Sequence, residues 1–491
     1  MSCTTWCKIL IYFCALMTAL TGALVMLYEP QRINHGHLPS KLRPFRPIPI
    51  RIGNALHYFL KTTFDYEILP LDVDVMLAAS CAKHQKTANT TTCDWGEKQY
   101  GDFRPSFRSF FQSLVDEGKL TLIGRVFASH RAQMLLDQRL QMIHYWKHDG
   151  VEVHSQTIKR PLFVAGLPRT GTTFLHTLLA QDTDTFIAPL NWMVVNPMPP
   201  NFGYIDEDQS NAVGDRKALI DDANYNLDQF KSIAKDVDAQ HVMSAFTPEE
   251  CIVFQAHTFV AFEFLTYFTL PSYSNWLRDI AYPGKEYNDA FRWHKQVLKH
   301  LTSVAPESVK KKSWVLKTPF HMGMLDDMID VYPDARVVMT HRRPVRALTS
   351  LSSLQVKLRT VSTDVIQPKE FAQEFLSLHS TFAGRAVESR ERWKKEGTDQ
   401  KRTVDVGLSE LHSNPMKVVE RIYNHFDMDL SDDSRDKMEY WLAHDGARGK
   451  HGSNVYKAEW FGLENQQQIL SENSGLKKYD DFYCGMFECV D

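Results

Sequence analysis

Apolar and polar positions along this chain change period three times. Residues 9–28 form an uncharged apolar run of about the length that spans a hydrocarbon core. Between residues 29 and 61, prolines (Pro30, Pro39, Pro44, Pro47, Pro49) interleave with basic side chains, which reads as a stem or linker. From 72 to 148 the apolar positions recur at helical spacing: Phe107, Phe110, Phe111 and Leu114, then Leu120, Ile123, Val126 and Phe127, then Leu136, Leu140 and Ile143. That pattern predicts a helical cap packed on a core. Beyond Pro161 the period shortens. Apolar runs at 162–165, 314–317, 336–340 and 403–406 read as buried strands, and 172–181, 322–331, 344–358 and 415–426 as the helices between them. Strand and helix alternating in this order build a parallel sheet covered by helices. A long, mainly helical insertion at 211–302 interrupts the alternation. Most of its aromatics (Phe254, Phe259, Phe262, Phe264, Tyr267, Phe268, Tyr273, Trp276) belong to a buried helical core, and any left over are candidates for a pocket wall.

Composition narrows this little. An apolar share of 43% with 12% aromatics is ample for a core in 491 residues, and no internal repeat stands out. The net charge of −3 provides no basic field for nucleic acid. Affinity for anions must therefore be local, as in the cluster Arg342, Arg343 and Arg346.

The most informative stretch joins the first strand to its helix. Gly166-Leu-Pro-Arg169-Thr170-Gly171-Thr172-Thr173-Phe174 gives strand, glycine turn and helix N-terminus, the geometry that holds a phosphate-like anion on free backbone N–H groups. The spacing is that of a Walker A loop, but Thr172 stands where the phosphate-binding lysine belongs, and the loop's cation is Arg169. That argues against ATP or GTP hydrolysis. No acidic residue ends the strand at 337–340, where a magnesium-binding aspartate is expected, and no His/Cys cluster has zinc spacing.

Pro-Arg-Thr-Gly-Thr-Thr-Phe resembles the 5′-phosphosulfate loop of the sulfotransferases that use 3′-phosphoadenosine 5′-phosphosulfate (PAPS). A second segment agrees: Arg342, Pro344 and Ser350 fit the three places of that family's 3′-phosphate motif. Trp314-Val-Leu-Lys317-Thr-Pro, Pro248-Glu249-Glu250-Cys251, and Arg448-Gly-Lys450-His451-Gly with Tyr456 and Phe461-Gly-Leu463 resemble further motifs of its large, bacterial-type branch. The resemblance runs from about residue 72 to about 483. It implies an α/β fold, a P-loop-type parallel sheet flanked by helices, with the N-terminal helical cap and the helical insertion added. The expected division is a membrane anchor at 1–30, a stem at 31–70, a cap at 71–155 and a catalytic domain at 156–491.

For such an enzyme the resemblance implies PAPS as co-substrate, no metal, and a hydroxyl-bearing acceptor that is a glycan, a tyrosine or a lipid. Arg169, Thr170, Gly171, Thr172 and Thr173 are expected at the 5′ end of the donor, Phe174 against its adenine, and Arg342 and Ser350 at its 3′-phosphate. Arg448, Lys450 and His451 are expected to close over it. Arg169 and Lys317 are the leading electrostatic residues, with Glu249, Glu250, His241 and His321 candidates for the base that takes the hydroxyl proton. Glu250 and His241 complete the expected catalytic set. Relatives often carry a glutamate after the P-loop helix where Met193 follows Trp192 here. The alternatives are a P-loop kinase or hydrolase, and an inactive relative that binds nucleotide or glycan.

The N-terminal run, with Lys8 before it and Glu29-Pro30 after it, favours an uncleaved anchor over a signal peptide. The family's membrane-bound animal members place the catalytic domain in the Golgi lumen, and that type II topology is expected here, although the basic residues after the run oppose it. A sequon at Asn89, flanked by Cys81 and Cys93, and a second local cysteine pair, Cys484 and Cys489, fit a glycosylated luminal protein.

Overall fold

The structure is a computed structural model; it describes residues 22–23, 46–148, 150–198, 215–233, 244–281, 285–444, 446 and 456–487. Five strands, β1 (Leu162–Gly166), β2 (Phe186–Ile187), β3 (Ser313–Lys317), β4 (Arg336–His341) and β5 (Thr403–Gly407), form one parallel sheet in the order β2-β3-β1-β4-β5. The four strands expected from the apolar runs are present within a residue or so of their predicted ends. β2 has only two residues, too short for its apolar pattern to register.

Alternation along the strands divides the interior into two cores. Leu162, Val164, Val315, Val338, Val404 and Val406 face one side and pack with Leu175 and Leu178 of the P-loop helix and with Val418, Ile422 and Tyr423 of helix Pro415–His425. Phe163, Ala165, Trp314, Leu316, Val337 and Met339 face the other side, where a much larger core joins the sheet to the cap and the insertion. Both faces are covered, which explains why the strands read as continuous apolar runs.

The cap is helical: Val73–Thr87, Arg104–Glu117 and the 27-residue Leu122–His148. Phe107, Phe110, Phe111, Leu114, Leu136, Leu140 and Ile143 are all buried, as their spacing predicts. Val126 is not: it is 44% exposed, because it lies on the outer side of the long helix. A helix at Ile48–Phe64 occupies part of the stretch read as linker, its N-terminus set by Pro47 before it and Pro49 in its first turn. Cys81 and Cys93 are disulfide-bonded, closing the loop that carries Asn89, Cys484 is disulfide-bonded as well, and Cys251 is a buried free thiol.

The expected Golgi type II placement is corrected. Among the described residues no helix is long and apolar enough to cross a membrane. The run at 9–28 that carried the expectation lies outside them, apart from Gly22 and Ala23.

Candidate functional site

The first strand ends in a residue that has to be glycine. Gly166 has φ 143°, and a Cβ there would lie 2.3 Å from the carbonyl oxygen of Thr340 on β4. The chain then turns through Arg169, held at φ 70°, a region that non-glycine residues rarely enter, and through Gly171 at φ 94°, before the helix Thr172–Leu179 begins. The Thr170 hydroxyl donates to the Leu167 carbonyl at 2.6 Å and shares a 2.6 Å hydrogen bond with the Thr340 hydroxyl, while its side chain is fully buried. Thr170 thus ties the loop to β4 rather than facing outward. Thr172, Thr173 and Phe174 line a cavity above the loop, with Phe174 against Trp441 (5.4 Å between ring centres) and His412 (6.1 Å).

The strand beside it delivers the second cation. β4 ends at His341, a fully buried ring that bonds the Asp405 carboxylate and the Tyr479 hydroxyl, both at 2.8 Å. Burial alone would raise Asp405, but hydrogen bonds from Arg390 and His341 hold it well below the usual carboxylate range. With the strand end anchored, Arg342 projects into the cavity that Arg169 also lines, and Pro344 opens the helix that brings up Ser350. Arg169 Nε donates to Ser350 Oγ at 3.3 Å. Burial lowers the Arg169 pKa; nearby Tyr456 opposes that shift, and the Arg342 charge adds to it. Among the described residues neither Arg169 nor Arg342 is ion-paired with a carboxylate. Two half-buried guanidinium groups without counter-charge, at a helix N-terminus, make an anion site. Arg343, one residue on, is turned away and pairs with Asp480 at 3.3 Å.

Past the loop, the cavity floor is acidic. Lys317, at the end of β3, is wholly buried, and its ammonium donates to Glu250 Oε1 at 2.7 Å. Lys317 does not line the cavity; Glu250 does, and so does Glu249. An isolated antiparallel bridge between Leu190 and Pro248 holds this acidic motif, and Asn191 Nδ2 lies 3.4 Å from Glu249 Oε2. Beyond it, Arg131 of the long cap helix grips Glu263 of the insertion through three bonds of 2.7 to 3.1 Å. Burial raises the Glu263 pKa, Arg131 opposes it, and Glu249 and Glu250 add to the rise. Beneath them His176 of the P-loop helix bonds the Val315 carbonyl at 3.2 Å, and burial, with the Lys317 charge, pushes it down to about 3.

The cavity, about 570 Å³, brings together Arg169, Gly171, Thr172, Thr173, Phe174, Glu249, Glu250, Arg342 and Ser350. Thr170 and Lys317 stand behind its wall. His321 is in the core between Phe163 and Phe291, with neither ring nitrogen hydrogen-bonded among the described residues, and burial pushes it down to about 3. His241, Arg448, Lys450 and His451 lie outside the described residues. Met193 is buried in the larger core, and Asn191, two residues earlier, faces the cavity instead. Arg131, Glu263, Phe127 and Phe230 were not picked out by any sequence motif; Arg131 and Glu263 are 132 positions apart, and no local pattern links them. Of the insertion aromatics, Phe254, Phe259, Phe262, Phe264, Phe268 and Tyr273 are buried, and Tyr267 lines the cavity. Among the described residues no group of three or more His, Cys, Asp or Glu side chains is placed to hold a metal ion.

A search of curated proteins finds no match. Among solved structures, the sulfotransferase STF9 from Mycobacterium avium is similar at 23% identity and a TM-score of 0.70, over 87% of this chain and 99% of that one. The sulfotransferase STF1 from Mycobacterium tuberculosis H37Rv is similar at 24% identity and a TM-score of 0.65, over 82% of this chain and 99% of that one. At these identities the likeness shows the fold: an α/β unit with a parallel five-stranded sheet flanked by helices. The model of the family described as "Sulfotransferase family" matches residues 161–432, more than half of the chain, and implies PAPS as sulfate donor. With the P-loop, the second arginine strand and the fold in agreement, this chain belongs to the sulfotransferase family.

Proposed function

We propose that this sulfotransferase binds PAPS along the line from Arg169 to Arg342 and passes its sulfuryl group to a hydroxyl at the Glu249–Glu250 floor. One observation carries the reading: Arg169, Arg342, Ser350 and the N-terminus of helix Thr172–Leu179 line one cavity, with no carboxylate partner for either guanidinium among the described residues. In this reading Arg169 and the N–H groups of Gly171 to Thr173 hold the 5′-phosphosulfate, and Arg342 and Ser350 hold the 3′-phosphate. Phe174, backed by Trp441, offers a flat apolar surface to the adenine.

Transfer then follows from positioning and charge. The acceptor oxygen attacks sulfur, the bond from sulfur to the bridging phosphate oxygen breaks, and 3′-phosphoadenosine 5′-phosphate departs with the electron pair. Glu250 takes the hydroxyl proton: its carboxylate lines the cavity and is aimed by the Lys317 ammonium 2.7 Å away. Lys317 acts from behind the wall, and Arg169 stabilises the charge that grows on the leaving phosphate.

Thermal unfolding separates this from a nucleotide kinase or hydrolase. 3′-Phosphoadenosine 5′-phosphate at a hundred times its dissociation constant is expected to stabilise the protein by about 2.7 kcal/mol, and ATP with magnesium is expected to leave the midpoint unchanged. Protection by ATP–magnesium alone would reverse the assignment. Donor binding with no labelled sulfate reaching any acceptor would identify a binding-only relative.

A further inference from the structure

The cavity does not end at Glu250. It continues into a space walled by Phe127 from the cap, Val194, Leu227 and Phe230 from helix Asp215–Ile233, and Tyr267 and Phe320. Phe127 and Phe230 both meet Tyr267 edge-on, at 5.4 Å and 6.0 Å between ring centres. Several polar groups at this end are spent on one another, while among the described residues Asn191 Oδ1 and Gln355 Oε1 of the cavity lining have no hydrogen-bond partner. Arg131 and Glu263 close a forked pair in which each side chain is only 13% exposed, and Asn226 donates to Asp222. A ligand rich in hydroxyls needs a partner for each one it buries, and the walls offer few. A ligand bearing negative charge would enter beside Glu249, Glu250 and Glu263, three carboxylates on one cavity wall.

Resting on the donor reading above, we infer that the acceptor is an uncharged alcohol on an apolar body, of the long-chain or fused-ring kind. Its hydroxyl meets Glu250 and its body lies between Phe127, Leu227, Phe230 and Tyr267. A glycan, and any acceptor with carboxylate or sulfate groups beside its hydroxyl, is excluded by the same walls and the same carboxylates.

The test uses the full chain, radiolabelled PAPS and four acceptors: 1-decanol, 10-hydroxydecanoate, maltose and chondroitin. The expected order is decanol first, with kcat/KM roughly tenfold or more above 10-hydroxydecanoate and above both carbohydrates. Leu227→Asp, a change on a partly exposed helix face, is expected to raise KM for decanol roughly tenfold, leaving thermal protection by 3′-phosphoadenosine 5′-phosphate as in the parent. Phe230→Ala, which removes wall without adding charge, is expected to move KM the same way by roughly threefold. Donor protection together with faster transfer to maltose or chondroitin would overturn this inference and leave the donor reading standing. So would an unchanged decanol KM in both variants. Loss of donor protection in the parent protein would bring down the donor reading and this inference with it.

Discussion

At the end of the cavity assigned above to the donor, Arg169 and Arg342 have no carboxylate partner among the described residues, whereas at the end assigned to the acceptor Glu250 and Glu263 are each matched by a cation, Lys317 and Arg131. The two ends lie within one continuous cavity. An uncompensated half-buried charge costs free energy, and a fold retains one where a ligand supplies the counter-charge. A matched pair aims side chains and shapes a wall instead. The same rule separates neighbours within one segment: Arg342 faces the cavity with no carboxylate partner among the described residues, and Arg343 is paired with Asp480 and faces away from it.

The strongest way to break the comparison is to remove an unpaired cation. Arg169→Ala is expected to lower kcat/KM for sulfate transfer by roughly 10²–10³-fold, with little change in the thermal midpoint, since no ion pair is lost. Near-normal turnover, read by labelled sulfate transfer, would mean that the unpaired guanidinium is not there for the donor.

Removing half of a matched pair should act on stability. Glu250→Gln strands a wholly buried ammonium, and a loss of about 3 kcal/mol is expected in urea unfolding. Lys317→Met is expected to cost less, because Glu250 is 28% exposed and stays partly hydrated. The reverse order would show that Lys317 has another partner for its charge.

Away from the cavity wall, the fully buried histidines His176 and His321 offer a probe by pH. His321 is pushed down to about 3 by burial, against an ordinary value near 6.5. Above pH 6.5 it is neutral in both the folded and unfolded chain. As the pH falls from 6.5 toward 3, only the unfolded chain gains the proton, so stability declines by about 1.4 kcal/mol per pH unit. His321→Phe is expected to remove that part of the acid sensitivity, measured as the difference in unfolding free energy between pH 7.5 and pH 5.5. An identical slope in the variant would exclude His321 as a source.

The smallest effect belongs to the outward pair. Arg343→Ala is expected to cost about 0.5 kcal/mol of stability and to leave the donor KM within about twofold of the parent, by steady-state kinetics. A larger rise in KM would show that pairing with Asp480 does not take Arg343 out of donor binding, and the contrast with Arg342 would fail.

Legibility follows the same boundary. The turns that carry Arg169 and Arg342 were legible because each part of them is local: a strand, a turn needing Gly166 and Gly171, a helix start, and an arginine with a serine eight residues later on the next helix. Thr170 shows the limit even there, for nothing in the spacing tells that its hydroxyl turns inward to Leu167 and Thr340 while Thr172 lines the cavity. Lys317 was legible as a strand-end lysine, but not as one enclosed by Glu250. At the other end the cap, the helix Asp215–Ile233 and the segment around Tyr267 each contribute two to four residues, and the pattern of each segment alone is that of an ordinary buried helix.

The amino-acid pattern alone gave away a parallel sheet, the succession of its four longer strands along the chain and the two turns that carry Arg169 and Arg342, because backbone geometry and side-chain period are set by near neighbours along the chain. The tertiary structure decided which cations stay unpaired, which carboxylates gather at the cavity floor, and which aromatics out of many form its wall. Those choices depend on distances between segments more than a hundred residues apart, such as Arg131 and Glu263, and such distances exist only after the cores on both sides of the sheet have packed.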